Sequence, residues 1–465
     1  MSVNSADLSK LPSQEQPRPS GFLNEDWWAV LIGLGLLATA VILFTQGSSL
    51  KWLAVAPPKW HTVSQLATQF GNDAIRYLAL FVLWAGLLSI GAGSIGIPLA
   101  RFLPSFVIVF IISAVIFMIG QWDQSDHYNL EPPLVALALG LIVANTVRLP
   151  DWFSAGLRVE FYVKIGIVLL GATLPITLIV WAGPTAILQA AIVSLATFFT
   201  IFLVARKLGL DPRFAATLGA GGAVCGVSGA IAIAGAVGAK KEDAPVAISL
   251  VIFWAIVFIF ALPLVARGLQ LPTGVAGAWI GTSEFADAAG FAAAQSYAGY
   301  AGHVDGITGH PEAAVNAYTL MKVIGRDVWI GIWALVLSIV ASLYWNDNDG
   351  VRGRADAGEI WRRFPKFVIG FLIASVVTTL FASGHAFADY KKAIEPLLVI
   401  PVKNLRTWSF IFCFLSIGLT TRFAALANAT RRPFYAFTVG VVINVILGYV
   451  LSTQVFGDFW TRFGQ

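Results

Sequence analysis

Residues 211–238 read D-P-R-F-A-A-T-L-G-A-G-G-A-V-C-G-V-S-G-A-I-A-I-A-G-A-V-G, and this stretch decides the fold. It is apolar enough for lipid but too rich in glycine for an uninterrupted helix. Asp211 followed by Pro212 is a helix start: a side-chain acceptor at the N-cap, then a residue whose missing N–H is not needed there. Gly219, Gly221, Gly222, Gly226 and Gly229 then remove side chains from successive turns. Each weakens a helix interior by about 1 kcal/mol relative to alanine. Backbone released from its helix in hydrocarbon must be buried in protein or line a polar cavity. Two readings follow. Either the helix breaks at midplane and aims half-helix N–H groups at a ligand, as secondary transporters do, or small residues let a continuous helix pack closely. Cys225 and Ser228 among the glycines favour the break.

Working outward, the chain is 57% hydrophobic and 12% charged, with mean hydropathy +0.78. So little charge cannot cover a soluble protein of 465 residues, which predicts an all-α, multi-span protein of the lipid bilayer. The net charge of +5 then reflects Lys and Arg on cytoplasmic loops, and no nucleic-acid partner is expected. Cys225 and Cys413 both lie in apolar segments, against a disulfide framework or a zinc site; no cofactor is expected. Residues 1–26 carry both charge signs and read as a disordered cytoplasmic tail. The apolar run after them lacks a cleavage pattern and reads as a retained span.

Runs able to cross about 30 Å of hydrocarbon are Trp27 to Phe44, Tyr77 to Ile90, Pro104 to Gly120, Pro133 to Val147, Phe161 to Trp181 and Pro184 to Val204. After the glycine-rich stretch come Pro245 to Ala266, a second small-residue stretch near 277–297, Tyr318 to Tyr344, Phe367 to Phe381, Trp408 to Thr421 and Phe434 to Leu451. That is about thirteen segments, two of them discontinuous. Residues 27–122 read as a three-span N-terminal extension and 123–465 as a transporter core.

If every segment spans, Arg101, Arg206, Lys207, the group Arg352, Arg354, Arg362, Arg363 and Lys366, and Arg422, Arg431 and Arg432 share one side. The acidic connections Asp123 to Glu131 and His303 to Glu312 share the other. The positive-inside rule puts the N-terminus in the cytoplasm and the C-terminus outside. Lys240 and Lys241 violate this pattern. Gly171-Ala-Thr-Leu followed by Gly183, and Gly418-Leu-Thr-Thr followed at the same distance by Thr430, suggest two structural repeats.

The second small-residue stretch holds G-T-S-E-F-A-D-A-A-G-F-A-A-A-Q, residues 281–295. Ser283 is expected to cap a helix with Glu284 in its first turn, so that Glu284 and Asp287 share a face. An intramembrane carboxylate is by default a functional group; the plainer alternative is an acid favoured by the helix dipole. Lys322 and Arg326 share a face, and Asp327 is expected to pair with either or with Lys164. This cluster can hold an anion or stand in for a sodium ion; snorkelling and a simple ion pair are the alternatives. Asn145 and Asn444 are expected to bond across helices. The five histidines mostly fall in connections, so no metal or nucleophile–base constellation emerges.

The run V-C-G-V-S-G, Val224 to Gly229, resembles the I-C-G-x-S-A hallmark of the YeiH-type family of bacterial inner-membrane proteins, labelled sulfate exporters. The resemblance extends to Ala144-Asn145-Thr146, K-I-G-I-V-L-L-G (Lys164 to Gly171), M-K-V-I-G-R (Met321 to Arg326) and L-S-I-G-L-T-T (Leu415 to Thr421), and covers roughly Pro133 to Leu451. It implies a relation to the cation/proton antiporters and bile-acid symporters, whose inverted-repeat fold crosses two broken helices at midplane. This chain departs from the pattern in three places. Where the family has G-S-x-H-E-V-A-Q, Phe285 and Ala286 replace the histidine and glutamate, and the acids stand at Glu284 and Asp287. Lys322 and Arg326 are four apart where three is usual. Thr173 stands where an arginine is usual. These changes mark a divergent branch and leave the substrate and coupling ion open.

The expected function is a secondary transporter of a small oxyanion such as sulfate, working by alternating access in the bacterial inner membrane. Gly221, Gly222, Cys225, Gly226, Ser228 and Ser283 would present N–H and small polar groups to substrate, and Lys164 and Lys322 positive potential. Glu284, Asp287, Arg326 and Asp327 would serve a coupling proton or sodium ion. The alternatives are a cation/proton antiporter, a non-transporting sensor, and an intramembrane enzyme, which the residues do not favour. A homodimer is left open.

Overall fold

A computed structural model describes residues 24–125, 132–174, 176–240, 242–345, 365–383, 390–422 and 431–464. Lys241, Arg352, Arg354, Arg362, Arg363 and Thr430, and the tail up to residue 23, lie outside the described residues. The described chain is helical, and its one extended pairing is an isolated bridge between Trp60 and Trp122. Among the described residues, eight helices are long and apolar enough to cross a membrane. Their outer faces carry large apolar side chains: along one helix Val180, Leu188, Leu195, Phe199 and Leu203 are all about half exposed or more. A band of that kind fits lipid and not water.

Helix α1 (Glu25–Thr45) starts at Asn24, whose side chain accepts from Trp27 N. Residues 24–26 therefore belong to an ordered helix start and not to the tail. α2 (Val63–Ser94), α3 (Leu99–Gly120) and α4 (Pro132–Thr146) follow. α1 packs on α5 (Val159–Gly171) and on a later helix, so the first spans are built into the core. α5 stops at Gly171, earlier than expected, and α6 runs from Ile176 to Lys207 straight through Pro184. The expected boundary at Trp181 to Pro184 is wrong because neighbours set the break. The first α6 amide, Ile176 N, is capped by Thr379 Oγ1 at 2.9 Å.

The glycine-rich stretch is interrupted as expected, but it does not run on across the bundle. α7 (Pro212–Ala223) and α8 (Val227–Val237) fold back on each other. Arg213, in the first turn of α7, donates to Gly238 O, just past α8, at 3.2 Å. Ends joined by a straight broken helix would lie roughly 35 Å apart. Residues 211–238 thus form a re-entrant hairpin whose tip is Val224-Cys225-Gly226.

α9 (Asp243–Gly268) then carries the chain across to the opposite face. There α10 (Thr273–Ser283) and α11 (Asp287–Ala298) make a second re-entrant hairpin. Its root is closed by Tyr297 Oη, which donates to Leu271 O at 2.5 Å. α12 (Pro311–Thr319) returns through a π turn (Leu320–Arg326) and a short 3₁₀ turn into α13 (Ile330–Tyr344). Trp345 O, at the end of α13, accepts from Arg213 at 3.1 Å, which brings the chain back to the root of hairpin 1. α14 (Lys366–Ser383), α15 (Ile400–Thr420), α16 (Arg431–Val450) and α17 (Gly457–Phe463) complete the bundle.

The two helix-to-hairpin units are copies in opposite directions. Leu203-Val-Ala-Arg206 ends α6 and Leu264-Val-Ala-Arg267 ends α9. Leu208, Gly209 and Leu210 donate to Val204, Arg206 and Ala205; Leu269, Gln270 and Leu271 donate to Val265, Arg267 and Ala266. These are the crossed bonds of a left-handed helix cap, with φ of 78° at Gly209 and 50° at Gln270. The tips match as well. Val224 N and Glu284 N each bond four residues back, and Ala230 N and Gly290 N bond Gly226 O and Ala286 O. A repeat is therefore visible here; Thr430, one anchor of the repeat expected at Gly171 and Gly418, lies outside the described residues.

Candidate functional site

The hairpins enter from opposite faces and meet tip to tip. Gly226 makes this contact feasible: its φ is 69°, and a Cβ there would sit 2.6 Å from Phe285 O. Both backbone chirality and space exclude other residues.

Because α7 and α10 end at the tips, their last carbonyls converge on the centre, where two negative dipole ends meet. Two fully buried cations from the π turn answer them. Lys322 Nζ donates to Phe285 O at 2.8 Å, Glu284 O at 3.1 Å and Val224 O at 3.4 Å. Arg326 donates to Thr282 O at 2.7 Å, Glu284 O at 3.0 Å and Gly222 O at 2.9 Å. Four residues apart on the π turn, both cations lie on the one face that meets the tips. Lys322 is therefore not a free charge for substrate: all three of its donors are committed to backbone, and Asp287 Oδ1 lies 3.5 Å away. Arg326 and Asp327 form no ion pair with each other, nor does Asp327 pair with Lys164.

Glu284 does not share a helix with Asp287. It stands in the break, and its Oε1 accepts from Phe285 N at 2.9 Å and Ala286 N at 3.2 Å, at the start of α11. Ser283 ends α10 and caps nothing; its hydroxyl is buried against Gly448 of α16. Phe285, where a histidine is expected, buries its ring against Phe258 and Phe437 with Arg326 over its face. Gly221 and Gly222 face Val251 and Ile201, so they serve close packing, with Gly222 O also held by Arg326.

The second helix of each hairpin begins at the centre, so its first amides point inward. The α8 amides from Val227 to Gly229 have no acceptor among the described residues. Val227, Ser228, Ala286 and Asp287 are part-exposed in an otherwise buried centre, which marks a vestibule reaching the tips. Ser228 Oγ lies 3.5 Å from Glu160 Oε2 at its wall. Lys164 is held there by Asp26 Oδ1 at 2.8 Å, Glu160 at 3.7 Å and Glu25 at 3.9 Å. Tyr318 Oη donates to Asp287 O at 2.6 Å.

Glu160, Glu25, Asp26 and Tyr318 escaped sequence reasoning. Only Glu160 left a local sign, four residues before Lys164; the others reach the site through the fold. Arg406 of α15 donates to Thr173 Oγ1 at 2.9 Å, so a guanidinium occupies from another helix the neighbourhood where an arginine is expected in sequence. Asn145 bonds Thr421 O and Asn444 bonds Thr197 Oγ1, joining helices as expected. Cys225 and Cys413 are buried free thiols.

The family model described as conserved hypothetical protein 698 matches residues 104–437. A UPF0324 membrane protein of Nitratidesulfovibrio vulgaris is 28% identical over 91% of this chain and 71% of its own length. One from Rhodopirellula baltica is 29% identical over 89% and 74%. One from Nitrosomonas europaea is 28% identical over 91% and 94%. No solved structure matches. With opposed hairpins, a buried charged centre and these relatives, the chain belongs to the conserved hypothetical protein 698 family of UPF0324 membrane proteins.

Proposed function

We propose that the protein is a secondary transporter of a small oxyanion, sulfate among the candidates, and not an enzyme. The observation that carries this reading is the meeting of two oppositely directed hairpins whose broken ends leave the α8 amides unpaired beside a vestibule. Half-helix N-termini at midplane suit anionic groups. An inverted pair of hairpins can expose one centre to either face in turn. Cys225, Gly226 and Ser228 frame the anion, and the Lys164 cluster borders its route. Lys322 and Arg326 act indirectly, by neutralising the carbonyl ends that would otherwise repel it.

Coupling follows from charge. Lys322 and Arg326 face Glu284, Asp287 and Asp327, so an arriving anion joins a site already rich in negative groups and needs a proton or sodium ion as companion. The re-entrant shape of hairpin 1 supports a cytoplasmic N-terminus. It returns Lys240 to the face of Arg206, Lys207 and Arg213, removing the exception to the positive-inside rule. The bacterial inner membrane is the fitting location.

The test is uptake of labelled sulfate into proteoliposomes. Cys225→Trp, which fills the space before the α8 amides, is expected to abolish it, and Glu284→Gln to change its ion dependence. Uptake indifferent to both substitutions overturns the reading. The unpaired oxygens of Glu284, Asp287 and Asp327 favour a second reading, cation/proton antiport. Thermal stabilisation by sodium, dependent on Glu284 and unmatched by any oxyanion, selects it.

A further inference from the structure

Three carboxylates share the centre, and the structure treats them differently. Glu284 has two backbone N–H donors on one oxygen. Asp287 has the Lys322 ammonium at 3.5 Å and a side chain 13% exposed to the vestibule. Asp327 has neither. It is 1% exposed, and neither Oδ1 nor Oδ2 has a hydrogen-bond partner among the described residues. Lys322 Nζ and the Nη1 and Nη2 groups of Arg326 turn to the hairpin carbonyls instead, and Arg326 Nε has no partner among the described residues.

A bare carboxylate buried without a donor costs far more than a neutral acid in the same place. The surroundings add little relief. Besides Lys322 and Arg326, the titratable groups around Asp327 include Asp287 from hairpin 2, Cys225 from hairpin 1, Glu160 from α5 and Tyr318 from α12. Four of these six are acids or weak acids, and Glu284 in the same centre adds another.

We propose that Asp327 is the proton-binding residue of this protein, holding a carboxylic O–H in the conformation described here and releasing it when the hairpin tips rearrange. On release the O–H bond of Asp327 breaks, and the proton passes to vestibule water by way of Asp287 and Glu160, the carboxylates that touch solvent. Asp327 is left as the anion. Binding reverses these steps. With one proton aboard, Lys322 and Arg326 balance Glu284 and Asp287, and the centre is neutral before an anion arrives. The coupling role rests on the transporter reading; the protonation does not.

The test is the acid-minus-alkaline difference infrared spectrum of the purified protein in lipid bilayers, needing no substrate. The wild type is expected to show the C=O stretch of a protonated carboxylic acid, shifted in D₂O. Carboxyl-¹³C aspartate should shift it and carboxyl-¹³C glutamate should not. The band is expected to vanish in Asp327→Asn and to persist in Asp287→Asn. No band in the wild type, a band that follows glutamate labelling, or one that survives in Asp327→Asn overturns the proposal. So does its removal by added sodium at fixed pH. If Asp327→Asn does not fold, Asp327→Glu replaces it: its band should then follow carboxyl-¹³C glutamate, and a band that still follows aspartate overturns the proposal. Absence of sulfate uptake with the band intact counts against the transporter reading alone.

Discussion

The two hairpins share a backbone and differ at their tips. Both leave a left-handed helix cap, run twelve residues from a proline to the break, and resume with a bond from the sixth residue past it (Ala230, Gly290) to the second (Gly226, Ala286). Hairpin 1 presents Val224-Cys225-Gly226 and leaves its second helix uncapped. Hairpin 2 presents Glu284-Phe285-Ala286 and turns a carboxylate onto the start of its own second helix. A repeat that is symmetric in backbone is thus asymmetric in charge. On the transporter reading proposed above, one tip accepts an external anion, while the other already carries a carboxyl group of its own.

The most decisive challenge to this comparison is topological. Lys207→Cys and Lys240→Cys should react with an impermeant thiol reagent from the same side of the membrane, and Asp305→Cys from the other. Labelling of positions 207 and 240 from opposite sides would restore a crossing helix.

Next in size is Lys322→Met. It strands buried carbonyls at about 1–3 kcal/mol each, and losing one partner of a buried ion pair costs about 3–5 kcal/mol. A marked fall in the thermal midpoint in detergent is expected, or failure to yield monodisperse protein. A midpoint unchanged from wild type would mean that the cation does not hold the tips together. Gly226→Ala should cost somewhat less: about 1–2 kcal/mol of left-handed strain plus displacement of hairpin 2 from Phe285 O. The equivalent substitution Ala286→Gly, at a position with ordinary negative φ, should cost under about 1 kcal/mol, and a larger loss at position 286 would contradict the asymmetry.

Glu284→Ala tests the charge difference directly. It frees the amides of Phe285 and Ala286, so affinity for sulfate by calorimetry should rise, whereas Glu284→Gln keeps an acceptor and should preserve stability more closely. Equal affinity in all three proteins would leave the internal anion without a role. The one expected gain in stability is at Gln270→Gly, which relieves the left-handed backbone at the root of hairpin 2 and copies Gly209. A gain of about 1 kcal/mol is expected, reduced by the lost 3.3 Å bond from Gln270 to Asp305 O.

The glycines of 211–238 revealed that a helix is interrupted, but not which way the chain leaves the break. Continuation and reversal place the same residues in lipid, so composition is blind to the difference; the contact of Arg213 with Gly238 and the close approach of Gly229 to Ala220 separate them. The matching Leu-Val-Ala-Arg runs were present in the sequence and carried the repeat, four residues long and easily lost among apolar spans.

From its residues alone the chain is a helical membrane protein with two interrupted regions and ionisable groups in its apolar core, because hydropathy and glycine placement act locally. The tertiary structure alone decided which charges are used up. Lys322 and Arg326 look like substrate ligands until the carbonyl ends of two hairpins, some 40 to 100 residues distant, take the Lys322 ammonium and the Nη groups of Arg326. Asp327 is left with no hydrogen-bond partner on either oxygen among the described residues for the same reason. Whether a buried charge is spent or available depends on distances across the fold, which no spacing along the chain encodes.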